Sequence, residues 1–195
     1  MNKKIIFLCT LLIAAFSYSY GEAIDYFPPL TEMPGRGISL TSPDEKGWFV
    51  FDPDGKGAGL VKAGPTNTES YAITISYYDS SNFKSENQFL DLVKKMNTGN
   101  SDRFKVRKNK EELDHSRGAY FVNYYSLAED YGAHKMPKDQ SFALLEIMGF
   151  YTRHPNDPSL MIKVEYSYRY YPGHEDPEFK KKAEWVLNHA IFTKP

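Results

Sequence analysis

The chain has a single cysteine, Cys9, and it lies inside the apolar run 5–16 near the start. Everything after that run therefore lacks a thiol nucleophile, a disulfide and a cysteine-ligated metal. A lipidated cysteine would follow such a run at a cleavage point, whereas here residues 10–16 continue it. No apolar run approaches the roughly 20 residues that cross a bilayer. No excess of basic charge is present either. The formal net charge is −1, and Lys3 and Lys4 belong to the leader, so no broad positive field attracts nucleic acid. Internal repeats and low-complexity runs are absent.

What is present begins with a leader. Asn2-Lys3-Lys4 is a short positive region, 5–16 is apolar, and 17–21 is mostly small and polar. This pattern reads as a secretory signal peptide cut after Gly21, with Ser19 at −3. The expected location is outside the cytoplasm, in a bacterial periplasm or the medium. Residues 22–36 carry Pro28, Pro29, Pro34 and Gly35 and read as an extended arm. Residues 37–195 suffice for one domain with its own core. Aromatic residues make up 15% of the chain, with 15 Tyr and 13 Phe, a composition that suits strands.

Short strands are predicted at 37–40, 48–52 and 58–63, with a turn at 52–57. Residues 70–78 alternate clearly, with Tyr71, Ile73, Ile75 and Tyr77 on one side and Ala72, Thr74 and Ser76 on the other. A helix follows. Ser85 and Gln88 form a capping box, Phe89, Leu92, Val93 and Met96 form its stripe, and Gly99 ends it. Strands are predicted at 104–107 and 119–128, then a polar loop over 129–140. A second helix has Asp176 as N-cap, Pro177 at N1, and a stripe of Phe179, Ala183, Val186 and Ala190. Ile191 and Phe192 form a last short strand.

Residues 142–171 form the predicted central hairpin, turning at His154-Pro155-Asn156-Asp157-Pro158. In its second strand Ile162, Val164, Tyr166, Tyr168 and Tyr170 alternate with Lys163, Glu165, Ser167 and Arg169. Setting Arg153 opposite Leu160 pairs Tyr151 with Ile162, Ile147 with Tyr166 and Leu145 with Tyr168. A slip of one residue then turns five large side chains toward water, at about 1.5–3 kcal/mol each. Strands outnumber helices and tight turns join them, so the fold class is α+β, a mostly antiparallel sheet with helices packed on it.

The element order resembles the PsbP-like fold, shared with the Ran-binding nuclear-import factor of the Mog type. The resemblance rests on Gly37-Ile38-Ser39-Leu40 with Trp48, on Phe89-Leu90-Asp91-Leu92-Val93, on Gly118-Ala119-Tyr120-Phe121-Val122, and on the closing helix and strand over 179–192. It implies an α/β/α sandwich and a non-enzymatic adaptor or assembly role through protein contacts, with no cofactor. The analogy with the Ran-binding branch alone makes a small GTPase one conceivable partner.

Local catalytic motifs fail residue by residue. Asp52-Pro53-Asp54-Gly55 continues to Lys56 and Ala63, where a calcium loop needs an oxygen ligand and Glu. The glycines at 55, 57 and 59 lack the Ser or Thr of a phosphate loop. Gly37-Ile38-Ser39-Leu40-Thr41 lacks the second glycine of a nucleophile elbow. His174-Glu175-Asp176-Pro177-Glu178 ends wrongly for a zinc helix. Asp130 and His134 share a polar loop, too few ligands for a tetrahedral metal. A hydrolase whose Ser, His and Asp come from distant segments remains a second reading.

Two surfaces are candidates for contact. One is the polar face of the hairpin, with Lys163, Glu165, Arg169 and Arg153 as partner-binding residues beside Phe142, Leu144, Met148 and Phe150. The alternative is a lipid-facing run of Arg103, Lys105, Arg107, Lys108 and Lys110, also readable as a charged edge strand.

Overall fold

The computed structural model describes residues 26–51, 58–66, 68–80, 83–97, 101–132, 136–137 and 139–194. The leader, the turn at 52–57, Gly99 and His134 lie outside them. In chain order the elements are β1 (Glu32–Gly35), β2 (Ile38–Thr41), β3 (Trp48–Val50), β4 (Ala58–Ala63), β5 (Ser70–Asp79), α1 (Glu86–Asn97), β6 (Phe104–Leu113), β7 (Phe121–Asp130), β8 (Ala143–His154), β9 (Asp157–Tyr170), α2 (Phe179–Asn188) and β10 (Ile191–Phe192). Seven strands form one antiparallel sheet in the order β3-β4-β5-β9-β8-β7-β6. The α+β expectation therefore holds. A second sheet, β1-β2-β10, has three strands. β1 arises within the proline-rich stretch read as an arm, and it pairs Met33 with Leu40 of β2. Upstream of it, the Phe27 amide donates to the Trp48 carbonyl at 2.6 Å.

Each face of the large sheet is covered. Phe89 and Val93 of α1 pack with Val122, Tyr124, Tyr151 and Met161. On the other face, Phe179, Ala183 and Val186 of α2 join Ile38 and Leu40 of the small sheet over Ile73, Ile75, Phe150, Val164 and Tyr166. This double coverage overturns the hairpin register expected from alternation. Met148, not Ile147, lies opposite Tyr166, and Phe150 lies opposite Val164. Ile147 sits opposite Ser167 and packs with the α1 cluster, on the far side of the sheet from Tyr166. A one-residue slip is forbidden only when one face is wet. Here β8 has apolar side chains for both faces, so alternation in β9 alone does not fix the pairing. The two-residue connection Pro155-Asn156, with an irregularity between Arg153 and His154, sets the register instead.

The helix ends follow from local chemistry. At α1 the Gln88 amide donates to Ser85 Oγ at 3.3 Å, and Gln88 Oε1 accepts from the Lys84 amide at 2.9 Å. This is a capping box that reaches back one residue further than the usual form. α2 starts two residues later than expected. Asp176 caps the turn before it, where its Oδ1 accepts from the Glu178 amide at 2.9 Å. Asp176 Oδ2 also accepts from Lys182 Nζ at 2.7 Å and from the Tyr71 hydroxyl at 2.8 Å. Burial alone would raise this carboxyl, but the bonds from Lys182 and Tyr71 hold it below the usual range. A carboxylate depressed in the folded state contributes stability above its unfolded pKa of about 3.9 and loses it as pH falls through the folded value. Asp176→Asn should therefore be less stable than wild type in urea titrations at pH 7. The gap should close as the pH drops below about 4.

The hairpin tip anchors the C-terminal strand. His154 is buried, its Nδ1 accepts from the Asn156 amide at 3.2 Å, and its Nε2 lies 3.0 Å from the Thr193 carbonyl. This pairing puts the proton on Nε2, the nitrogen that donates to Thr193. A Cβ on Gly37 would stand 2.8 Å from His154 Cδ2, and φ there is +74°, so only glycine lets β2 pass this close. His154→Ala should cost about 1–3 kcal/mol. Hydrogen exchange should show the loss concentrated at residues 191–193.

Candidate functional site

The polar row of β9 is not a surface. Lys163, Glu165 and Arg169 are 6%, 7% and 6% exposed. Across the sheet from them stand the small residues of β5, with Thr74 opposite Glu165 and Ser76 opposite Lys163. Lys163 Nζ lies 2.6 Å from Glu165 Oε1. Glu165 also accepts from the Tyr124 hydroxyl and, at 3.3 Å, from Thr74 Oγ1. Burial works against the Lys163 ammonium, but Glu165 together with Tyr124, Tyr151 and Tyr78 holds the lysine above its usual range. Burial, followed by Glu165, pushes the Tyr124 phenol up. Further along the row, fully buried Asp130 receives Arg103 Nε at 2.8 Å and faces Arg169 Nη2 at 2.8 Å. Arg169 Nη2 meets that carboxylate as an ion pair off the hydrogen-bonding line, and its Nε has no hydrogen-bond partner among the described residues. These three residues are thus interior members of a charge network. The expected partner-binding role for them is corrected, because an enclosed side chain meets no partner. Arg153 is half-buried, with its guanidinium 3.6 Å from the centre of the Tyr120 ring. Phe142, Leu144, Met148 and Phe150 belong to the tyrosine side of the sheet, not to the charged row.

The basic run forms β6, the outer strand of the sheet. It extends to Leu113, beyond the expected 104–107, since an edge strand needs no continuous apolar face. A bulge falls between Val106 and Lys108. Lysines and a bulge are how sheet edges resist pairing with other chains. The five cations do not act together. Arg103 is on Asp130. Lys105 and Arg107 share Glu129, at 3.8 and 2.6 Å. Lys110 pairs with Glu112 at 2.8 Å. Lys108 lies 5.3 Å from the Tyr125 ring. Bonds from Tyr131 and Arg107 hold Glu129 below the ordinary carboxylate range.

The described histidines are engaged singly. Besides His154, His174 Nδ1 is 2.8 Å from buried Glu69, His115 is 3.5 Å from Glu86, and His189 stacks on Trp185. No group of three or more metal-ligating His, Cys, Asp or Glu side chains occurs among the described residues. Asp130, which shares the polar loop with His134 in the sequence, is committed to the two arginines. No described helix is long and apolar enough to cross a membrane.

A concave feature lies elsewhere among the described residues. α2 packs over β9 and β8 and leaves the outer part of the same face open. Between that helix and β6 runs a groove of about 560 Å³. Tyr125, Met148 and Gly149 line it, with Lys108, Lys110 and Glu112 on the β6 side and Lys180, Glu184, Leu187 and Asn188 on the α2 side. Asp114 and Arg117, from the β6–β7 connection, also line it, as do Asn123, Tyr124 and Glu146. Arg117 Nη2 donates to the Leu187 carbonyl at 3.1 Å, near the negative end of α2. Its guanidinium stands 4.4 Å from the Phe121 ring centre and 5.0 Å from that of Phe150. Glu146 accepts from the Tyr125 hydroxyl at 2.9 Å and the Tyr170 hydroxyl at 3.3 Å. Burial, then Glu146, pushes both phenols up. Sequence reasoning named Lys108, Lys110 and Met148 but not the groove, whose lining comes from four elements and one connection. No protein-family model matches the chain, and no curated protein matches it.

Proposed function

We propose that the chain is an exported, non-catalytic binding protein with a PsbP-like α/β/α sandwich, and that it holds a protein partner in the groove beside α2. The groove itself is the observation that carries this reading. Its volume falls within the roughly 300–1,000 Å³ range of ligand sites. Tyr, Met and Arg in its lining are residue types favoured where proteins meet. The helix-on-each-face arrangement supports the sandwich, and the leader pattern supports export. Met148→Arg fills the floor with a charged side chain. Affinity capture from the organism's envelope and medium should recover a defined partner with wild type, and the variant should lose it by about tenfold or more. Equal capture by both would remove the groove from the binding surface.

A further inference from the structure

We infer that the Nε and Nη2 edge of the buried Arg169 guanidinium is an anion site, one that holds a small oxyanion of the carboxylate, phosphate or sulfate type. The inference is independent of the groove and of what binds there. Arg169 alternates with Tyr168 and Tyr170, whose rings belong to the α2 side, so it lies on the opposite face of the sheet from the groove. It is 6% exposed, and among the described residues neither its Nε nor its Nη2 has a hydrogen-bond partner. Buried polar side chains are seldom left this way, and buried cations least of all.

Asp130 does not fill that edge. Its Oδ1 accepts from Arg103 Nε at 2.8 Å and from the Gly132 amide at 3.0 Å, and its Oδ2 accepts from Arg103 Nη2 at 3.1 Å. One carboxylate thus faces two guanidiniums, and Arg103 takes it with both prongs of its fork. Arg169 Nη2 stands 2.8 Å from Oδ2 without hydrogen-bonding alignment. The cross-strand neighbours bring no counter-charge, since Ser70 of β5 and Leu145 of β8 lie opposite Arg169. Burial lowers the Arg169 guanidinium below its usual range, Asp130 does not offset this, and Arg103 adds to it. Two parallel N–H groups on one edge match two oxygens of a single oxyanion. A water would accept from the edge but leave the excess charge uncovered. The enclosure of Arg169 excludes a folded partner or a membrane. Arg103, which holds the same carboxylate, is partly exposed, so the site lies one side chain from solvent.

The test is a thermal-melt titration of the purified protein with acetate, phosphate and sulfate, each up to about 10 mM, at an ionic strength held by sodium chloride. The midpoint should rise and saturate, by about 5 °C at a hundredfold excess over the Kd. Arg169→Met should abolish the rise. Lys181→Gln, which removes an exposed cation elsewhere, should keep it. General exclusion of sulfate or phosphate from the surface would instead give an unsaturating rise, the same in wild type and Arg169→Met. That result, or no rise with any of the three anions, would overturn the inference. Should Arg169→Met fail to fold, 15N-arginine-labelled wild type decides alone. The Arg169 Nε–H signal, assigned by its absence from Arg169→Lys or by through-bond connection to the Arg169 backbone, should shift and saturate with the same anions. A signal that stays in place through the titration would overturn the inference.

Discussion

Glu165→Ala should lower the unfolding free energy by about 3–5 kcal/mol, since it leaves the buried Lys163 ammonium without its counter-charge. It also leaves the Tyr124 hydroxyl and Thr74 Oγ1 without their acceptor. An exposed cross-strand ion pair would lose only about 0.2–1 kcal/mol, so the size of the effect separates interior from surface. Urea titration at neutral pH reads it directly, with the slope checked for an unchanged denatured state. The paired variant Lys163→Met, Glu165→Leu removes both charges at once. It should recover most of the lost stability, because apolar replacement of a buried ion pair is often neutral or stabilising. A double variant as unstable as Glu165→Ala would mean that packing, not charge, dominates the row.

Gly149→Ala should be comparably damaging, about 3 kcal/mol or more, although it adds one methyl group. Gly149 lies opposite Glu165, and the Tyr124 ring crosses the space a side chain would fill. A Cβ there would collide with the Val164 carbonyl oxygen and stand 2.7 Å from Tyr124 Cε1. The ring can move, but the carbonyl belongs to the neighbouring strand. Moving it strains the ladder between β8 and β9. Gly118→Ala is the contrast. It has nothing within 4 Å of the added carbon and carries only the backbone strain of φ +120°. A Gly149→Ala variant no worse than Gly118→Ala would contradict the close passage of Tyr124 over β8.

Local features of the fold were legible and tertiary ones were not. The stripe Phe89, Val93 and the stripe Phe179, Ala183, Val186 each mark the buried side of a helix, and a 3.6-residue period records this locally. β5 and β9 alternate strictly, so their existence was plain. Their partners were not, because pairing depends on whether the second face is wet, and α1 decides that from a distance. A signal was present in β5. Ala72, Thr74 and Ser76 are small, and they leave room for the long side chains of Glu165 and Lys163 beside them. β1 was hidden because Pro34 and Gly35 disfavour strands except at an edge, which is where β1 lies. The groove was illegible for another reason. No single segment contains it, and its shape depends on how far α2 reaches across the sheet.

The claim that the partner sits between α2 and β6 is tested most directly by a photo-crosslinking amino acid placed on α2 in the cells that make the protein. At Asn188, an exposed residue of the groove wall, it should give a discrete adduct with one partner. At exposed Lys181, outside the lining, it should give none. The Asn188 adduct should vanish when Met148→Arg is combined with it. Adducts of equal strength from both positions, or an Asn188 adduct that survives Met148→Arg, would contradict the account.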